Sequence, residues 1–357
     1  PLSKHASLRP SGVPSDSHPA EASQNLQGTS ASTDSAPSID ATAVPTPSID
    51  ASMPRLSNAN ATEATRLLYQ RVCALEGKSV LSAQQESTWM GSPDYEMDHL
   101  RAVTGTLPAM RGFDYMKDDF EGVNARAANW WAQGGLVTIC WHTGADFTGE
   151  WNEAMKTEVA DWDAVLTEGT PAHEAFIAGM DKAASALLEL QEQGVTVFWR
   201  PFHEFDGAWF WWGKGGSERF RKLWPMMYDR YTAHWKLNNL IWVLGYSNKG
   251  IRQADWYPGD DVCDILGADS YDGGVQKGLY KKVRAVTDAP KPLCFHECGT
   301  NPTVRELQDV PWVWFMTWHT KHLTEDNTPD ALKSLYVDDY VITRDELVDH
   351  LPPANNE

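Results

Sequence analysis

The sequence lacks three features that would assign it to particular classes of protein. It contains no apolar run of about eighteen residues or more, so no segment reads as a transmembrane helix. Positive charge is scarce, because 30 Lys and Arg residues stand against 49 Asp and Glu residues, for a formal net charge of -19. This balance disfavours nucleic acid and anionic membranes as partners, whereas an uncharged ligand is compatible with it.

Cysteines are also few. The chain has five, which is too few for a disulfide-built scaffold, and their spacing lacks the C-x-x-C pairs of a structural zinc site. Cys294 and Cys298 flank Glu297, so a disulfide from either one would brace that segment, although an odd total leaves at least one thiol unpaired. No basic stretch followed by an apolar one opens the chain. We therefore expect a soluble, secreted, extracellular protein whose signal peptide, if any, has been removed.

Aromatic residues are missing from the first 58 residues. This segment is rich in Ser, Thr, Ala and Pro, and it contains the pentapeptide Pro-Ser-Ile-Asp-Ala twice, beginning at Pro37 and Pro47. Such a composition buries too little apolar area to offset the entropy lost on ordering. The sequence predicts a disordered linker over residues 1–58 and a folded domain over residues 59–357.

From Thr62 onward, short apolar runs alternate with amphipathic stretches, which indicates repeated β-α units. We place eight strands near residues 79–85, 107–112, 135–141, 195–201, 240–244, 265–269, 292–296 and 313–316. One intervening helix is predicted to start at Thr170-Pro171 and to stop at Gly194, and another to start at Ser217. The fold class is therefore α/β, and eight such units predict a (β/α)8 TIM barrel. An open doubly wound sheet is the rival, but no Gly-rich dinucleotide turn follows the first strand.

Two glutamates come at the ends of predicted strands of this barrel. Glu204 follows the fourth strand and Glu297 ends the seventh. The C-terminal strand ends of a barrel meet at one mouth, so both carboxyl groups are expected there. A protonated and an ionised carboxyl group facing each other can cleave a glycosidic bond, and in a retaining enzyme they lie about 5 to 5.5 Å apart. The sequence therefore predicts a glycoside hydrolase.

The residues around these glutamates resemble a known family. Arg-Pro-x-His-Glu, ending at Glu204, and the following Gly-x-Trp-Phe-Trp-Trp-Gly are similar to the acid/base motif of glycoside hydrolase family 26. The resemblance extends over about residues 62–350 and includes further matches at the strand ends. These are Gly77-Lys78, Gln84-Gln85-Glu86, Gly112-Phe113-Asp114-Tyr115, Trp141-His142, Asp269-Ser270-Tyr271 and Glu297-x-Gly299.

The resemblance implies an endo-β-1,4-mannanase (mannan endo-1,4-β-mannosidase) that acts on mannan, glucomannan or galactomannan by double displacement. It makes Glu204 the acid/base and Glu297 the nucleophile. Arg200 and Tyr271 resemble the family residues that hold the nucleophile, and a cation and a phenol would keep that carboxylate ionised. His203 directly precedes the acid/base, as in the family.

Three further substrate-binding residues follow from the same resemblance. His142 resembles a residue that contacts the sugar next to the scissile bond, Trp209 fits the wall of the central subsite, and Trp318 fits a stacking platform. Trp211 and Trp212 are expected to pack behind Trp209. A distal subsite is assigned to either Trp151 or Trp162. The implied partner is a β-mannan polysaccharide, bound by a monomer without metal or other cofactor.

Some alternatives remain open at this point. The catalytic pair also suits a mixed-linkage β-glucanase or a β-1,3-xylanase of the same family, because it acts on a bond that all these substrates share. A non-catalytic carbohydrate-binding protein would have no need of both carboxyl groups and of the Arg and Tyr that orient one of them. Gly213-Lys214-Gly215-Gly216-Ser217 lacks the spacer of a phosphate-binding loop. His319 and His322 could form a metal-binding pair, but no cluster of further ligands accompanies them in the sequence. We interpret them as surface residues.

Overall fold

The computed structural model describes residues 53–350, and eight parallel strands form its centre. They are β1 (Val80–Gln85), β2 (Met110–Asp114), β3 (Leu136–Cys140), β4 (Val197–Trp199), β5 (Leu240–Ser247), β6 (Ile265–Ser270), β7 (Leu293–Cys298) and β8 (Trp314–Thr317). Each strand pairs with its neighbour in sequence, and β1 pairs with both β2 and β8. The sheet is therefore closed, which confirms the predicted (β/α)8 barrel and excludes the open sheet.

Helices surround the barrel and connect most of the strands. They are α1 (Glu63–Ala74), α2 (Tyr95–Thr104), α3 (Phe120–Ala132), α4 (Trp151–Lys156), α5 (Trp162–Val165), α6 (Pro171–Glu192), α7 (Trp211–Lys214), α8 (Ser217–Asp229), α9 (Lys277–Arg284), α10 (Val304–Asp309), α11 (Lys321–Thr324), α12 (Pro329–Tyr336) and α13 (Leu347–His350). A two-residue strand, β9 (Val341–Ile342), lies beside the start of β1. Between β5 and β6 two 3-10 turns, Gln253–Trp256 and Asp260–Val262, take the place of an α-helix.

Both helices predicted in detail are present, and local chemistry explains where they begin. Thr170 caps α6 by accepting a hydrogen bond from the His173 amide, and Pro171 occupies the first helical position. The second helix, α8, starts at Ser217 as predicted and continues into one π-helical turn, Arg230–His234. Both helices therefore lie where their apolar periodicity indicated.

The strands are buried on both faces, as the parallel sheet of a barrel requires. Alternate residues of β5 join different apolar clusters: Leu240 and Trp242 pack towards the helices, whereas Ile241 and Val243 join a cluster drawn from strands all around the barrel. That inner cluster fills the barrel below its C-terminal rim. The polar side chains of the site lie above it, at the strand ends.

The predicted linker over residues 1–58 lies outside the described residues except for its end. There, Leu56 is buried, the Ser57 amide donates to Asp264 Oδ1 at 2.6 Å, and the Asn58 amide group donates to Leu237 O at 3.2 Å. The chain thus contacts the barrel from Leu56 onward.

All five cysteines fall within the described part of the chain, and each is a free thiol. Neither Cys294 nor Cys298 therefore forms a disulfide that would brace the segment around Glu297. Cys298 Sγ instead lies 3.4 Å from the carbonyl oxygen of Met316 in β8. Within residues 53–350, no helix combines the length and the apolar character needed to cross a membrane.

Candidate active site

A cleft of about 690 Å³ opens at the C-terminal ends of the strands. Its lining is aromatic and acidic, as suits a ligand with hydroxyl groups and apolar C–H faces. The lining residues come from the loops after most of the strands: Gln85, Glu86, Trp89, Asp114, Met116, Lys117, His142, Glu150, Trp151, Asn152, His203, Glu204, Trp209, Phe210, Tyr271, Glu297, Trp318, His319 and His322. Both predicted catalytic glutamates are among them.

Glu297 lies on an irregular part of β7. In the pairing with β6, Ala268 lies opposite Phe295 and Asp269 lies opposite Glu297, so one residue of β7 is unpaired. Such a bulge bends a strand and changes the direction of its side chains. As a result the consecutive side chains of His296 and Glu297 both contact the guanidinium group of Arg200, which two neighbours on a regular strand would not do.

The Glu297 carboxylate is buried and held by two strong donors. Arg200 Nη1 donates to Oε1 at 2.8 Å, and the Tyr271 hydroxyl donates to Oε2 at 2.7 Å. Arg200 is itself fixed, since its Nη2 donates to Gln85 Oε1 at 3.1 Å. Burial opposes the charge of Arg200, yet the nearby acidic groups raise its pKa further. This pairing keeps Glu297 ionised and leaves its oxygens in a defined orientation.

Tyr271 presents two different surfaces. The residue is 41% exposed, and its ring lines the cleft. Its hydroxyl, however, is enclosed against Glu297, and burial together with that negative charge raises the pKa of the phenol well above its ordinary value. Tyr271 therefore remains a hydrogen-bond donor to the carboxylate at any working pH.

Glu204 has the opposite environment. It adopts a left-handed backbone with φ 55°, and its amide donates to Gly245 O at 2.7 Å, which turns the side chain into the cleft. Burial and the negative charge of Glu297 raise its pKa to about 8, although a hydrogen bond from Trp209 Nε1 at 2.9 Å works in the other direction. At neutral pH Glu204 is therefore protonated, whereas Glu297 accepts hydrogen bonds from a guanidinium and a phenol. This is the division of roles that paired-carboxylate glycoside hydrolysis requires.

Two histidines lie beside the glutamates. His203 is buried, its Nε2 lies 3.5 Å from Glu297 Oε1, and burial lowers its pKa well below the ordinary value. Its ring meets that of His142 edge to face at a centroid distance of 4.7 Å. His142 is oriented by Asp114, whose carboxylate accepts from the His142 amide at 2.9 Å and contacts Nδ1 at 2.5 Å. Burial alone would raise the pKa of Asp114, but the interactions with His142 outweigh it and hold that pKa low.

A second Asp–His pair lies next to Glu297. His296 Nδ1 and Asp269 Oδ1 are 2.5 Å apart, and both side chains are fully buried. Burial and the charge of Glu297 raise the pKa of Asp269 well above normal, whereas burial and Arg200 lower the pKa of His296. Both shifts favour the uncharged form of the pair.

The tryptophans divide as expected from the sequence. Trp209 and Trp318 line the cleft, and the guanidinium of Arg200 lies 5.7 Å from the centre of the Trp318 ring. Trp211 and Trp212 are fully buried behind them. Of the two candidates for a distal subsite, Trp151 is 49% exposed and lines the cleft, whereas Trp162 is buried against Trp211.

The structure thus brings all eight predicted site residues together. They are Glu204, Glu297, His142, Arg200, His203, Trp209, Tyr271 and Trp318. Their roles remain predictions. One interpretation was wrong: His319 and His322 line the cleft, because the turn after β8 folds back over the barrel mouth. Trp89 and Asp114 were not singled out as contacts, although their positions directly after β1 and at the end of β2 were available as a signal.

Among residues 53–350, three groups of side chains have enough donors within reach of one another to hold a metal ion. They are Asp114, Cys140 and His142; His203, Glu204 and Asp269; and Asp269, His296 and Glu297. In two of them the donors already bond each other, as in the Asp114–His142 and Asp269–His296 pairs. Arg200 adds a positive charge against Glu297, which opposes a cation there. The expectation of a metal-free site stays a prediction.

Comparison with known proteins extends the motif resemblance to the whole domain. The family model described as glycosyl hydrolase family 26 matches residues 57–346. A mannan endo-1,4-beta-mannosidase of Thermothelomyces thermophilus is 32% identical over 82% of this chain and 63% of its own length. A mannan endo-1,4-beta-mannosidase B of Piromyces sp. is 30% identical over 82% of this chain and 54% of its own length. The chain therefore spans less than two thirds of the length of these relatives.

Solved structures agree with this assignment. The beta-mannanase from a symbiotic protist of the termite Reticulitermes speratus, complexed with gluco-manno-oligosaccharide, has a TM-score of 0.75 at 27% identity, covering 81% of this chain and 96% of that one. The Podospora anserina beta-(1,4)-mannanase has a TM-score of 0.73 at 30% identity, covering 83% of this chain and 69% of that one. Since the family model covers most of the chain and the barrel carries its two glutamates at one mouth, the protein belongs to glycosyl hydrolase family 26.

Proposed function

We propose that the protein is a retaining endo-β-1,4-mannanase that hydrolyses mannan, glucomannan or galactomannan. The observation that carries the proposal is the contrast between its two glutamates: the carboxyl oxygens of Glu297 accept hydrogen bonds from Arg200 and Tyr271, and Glu204 has a pKa of about 8. The choice of mannan is supported by relatives that are named as mannan endo-1,4-beta-mannosidases.

In the first step Glu297 attacks the anomeric carbon and forms a glycosyl ester as the bond to the leaving oxygen breaks. Glu204 donates its proton to that oxygen. Ester formation removes the negative charge of Glu297, which is one of the two main causes of the raised pKa of Glu204. The pKa of Glu204 therefore falls at the moment when the carboxylate is needed as a base.

In the second step Glu204 takes a proton from water, the water oxygen bonds to the anomeric carbon, and Glu297 leaves as a carboxylate. The sugar configuration is inverted twice and so retained. Tyr271 and Arg200 stabilise the carboxylate as it is released.

A hydrolysis assay on glucomannan, barley-type β-glucan and β-1,3-xylan tests the substrate. We expect the highest kcat/KM on glucomannan, and a preference for either of the other polymers would replace the proposal with a glucanase or a xylanase. Binding of a polysaccharide without release of reducing ends would instead indicate a carbohydrate-binding protein. Early product anomers followed by NMR should be β, because an α product would exclude retention.

Glu297→Ala provides the control for this assay. We expect it to reduce kcat by about 10³-fold or more, since the group that would form the glycosyl ester is then missing. We also propose that the protein is secreted and acts as a monomer, which detection in culture medium and size-exclusion chromatography with light scattering would test.

A further inference from the structure

Glu96 is a fully buried carboxylate that the proposed mechanism does not use. It lies in the first turn of α2 and is 0% exposed. Its Oε1 accepts from the Ser87 hydroxyl at 2.7 Å and from the Thr320 amide at 2.9 Å, and its Oε2 accepts from the Ser87 amide at 3.0 Å. Among residues 53–350 no cation lies within ion-pair distance of Glu96. Its charge is therefore satisfied by the amides and the hydroxyl that it binds, together with the helix N-terminus.

These hydrogen bonds connect two loops that are far apart in sequence. Ser87 follows β1, and Thr320 follows β8. Thr320 has φ 54° and ψ -122°, a backbone conformation that is strained for a β-branched residue but accessible to glycine. Such outliers persist only where the surrounding contacts impose them. The hydrogen bond from the Thr320 amide to Glu96 is a contact of this kind.

The two connected loops carry one wall of the cleft. Trp318 and His319 directly precede Thr320, and Trp89 follows Ser87 by two residues. The ring of His319 lies 4.9 Å from that of Trp318 and meets that of Trp89 edge to face at 4.8 Å. All three rings line the cleft, and Trp89 is 48% exposed. Exposed tryptophan faces suit the apolar C–H faces of a pyranose ring.

We propose that Glu96 is a positioning residue for substrate binding. By bonding both loops it holds Trp89 and His319 against each other as a continuous wall, and that wall binds a sugar ring of the β-mannan chain beyond the one that reacts. This inference rests on the proposed function. It assigns Glu96 no contact with substrate, so its effect is on binding and not on the chemical step.

Steady-state kinetics on mannohexaose test the inference. Glu96→Ala should raise KM about tenfold while kcat stays within about twofold. This pattern is expected when binding of the substrate and of the transition state weakens equally. Asp98→Ala is the matched control, because Asp98 is an exposed carboxylate on the same helix. It should leave both constants unchanged. Unchanged KM in Glu96→Ala, or an equal fall in kcat, would overturn the proposal.

Thr320→Gly separates positioning from general stability. Glycine adopts the conformation of Thr320 without strain, so the double variant Glu96→Ala/Thr320→Gly should recover most of the lost KM. A carboxylate that merely stabilised α2 would not be rescued in this way. If Glu96→Ala does not fold, Glu96→Gln keeps one acceptor oxygen and enters the same comparison with Thr320→Gly.

Thermal unfolding of the same variants tests the connection without substrate. Thr320→Gly should raise Tm less in the Glu96→Ala background than in the wild type, since without Glu96 the Thr320 backbone can relax and less strain remains for glycine to relieve. Equal effects in both backgrounds would contradict the proposed connection. A wild type that is inactive on every mannan would refute the proposed function and the sugar-binding wall, while the Tm comparison would still decide the role of Glu96 in holding the loops.

Discussion

At the scale of single residues, Glu204 and Glu297 show how two side chains of the same type acquire different chemical properties from their neighbours. Glu297 has a guanidinium and a phenol as donors, whereas Glu204 has one indole N–H and a buried position near a negative charge. The motif predicted which residues meet, because adjacent sequence and strand ends carry that information. It did not predict the contacts of Glu96 or His319, because those contacts join loops that are distant in sequence.

The hydrogen bond from Trp209 to Glu204 leads to a prediction about pH. This bond stabilises the carboxylate and lowers its pKa, so Trp209→Phe should raise the pKa of Glu204 from about 8. In the proposed mechanism Glu204 donates a proton in the first step, so activity should fall as pH rises through its pKa. The basic limb of the kcat/KM profile should therefore move to higher pH, by about half a unit to one unit.

Trp151→Phe is the control for this measurement. Trp151 also lines the cleft, but no hydrogen bond connects it to Glu204 among the described residues. It should alter KM and leave the limb in place. If the basic limb of the kcat/KM profile stays in place in Trp209→Phe, or moves to lower pH, the indole N–H does not lower the pKa of Glu204.

At the scale of elements, the order of strands and helices was predictable from periodicity, whereas the irregular features were not. All eight strands overlap the short apolar runs from which they were predicted, and α6 begins directly after its predicted cap. The bulge in β7 left no pattern in the sequence, since His296 and Glu297 read as ordinary neighbours. The connection between β5 and β6 also lacks the α-helix that a regular repeat implies.

The bulge depends on space that glycine provides. A Cβ atom at Gly245 in β5 would lie 2.8 Å from Cε1 of the buried His296 ring, which contacts Arg200. Gly245→Ala should therefore displace His296 and Arg200. We expect it to lower the free energy of unfolding by about 1–3 kcal/mol and to reduce kcat about tenfold or more.

Gly278→Ala is the matched substitution. Gly278 lies in α9, and a Cβ atom there meets nothing within 4 Å. Alanine should raise the free energy of unfolding by up to about 1 kcal/mol and leave kcat unchanged. Urea unfolding and kinetics on glucomannan measure both effects, and a Gly245→Ala enzyme with normal kcat would refute the packing argument.

At the scale of the whole molecule, the buried titrating groups of the site determine how stability changes with pH. Glu204 has a pKa of about 8 and that of Asp269 is well above normal, so the folded state binds protons that the unfolded state releases. The pKa values of His203, His296 and His319 are lowered on folding, so these three side chains are neutral in both states only above about pH 7.5. Above that pH the carboxyl groups and the buried thiols, whose pKa values folding raises, make the folded state bind more protons than the unfolded state.

This leads to a prediction for the intact protein. Where the folded state binds more protons, the free energy of unfolding falls as pH rises. Tm should therefore decrease between about pH 7.5 and pH 8.5. Glu204→Gln removes one of the responsible groups, so its Tm should decrease less over the same range. A Tm that rises across this window in the wild type would contradict the assigned protonation of the site.

The five free thiols have a consequence for experiments on this protein. Cys140, Cys263, Cys294 and Cys298 are fully buried, and burial raises the pKa of the partly exposed Cys73 to about 12. A thiol-specific reagent reacts with thiolate that it can reach, so the native fold protects the four buried positions. The rate at which these four thiols are labelled, measured by mass spectrometry, therefore reports how often the barrel opens.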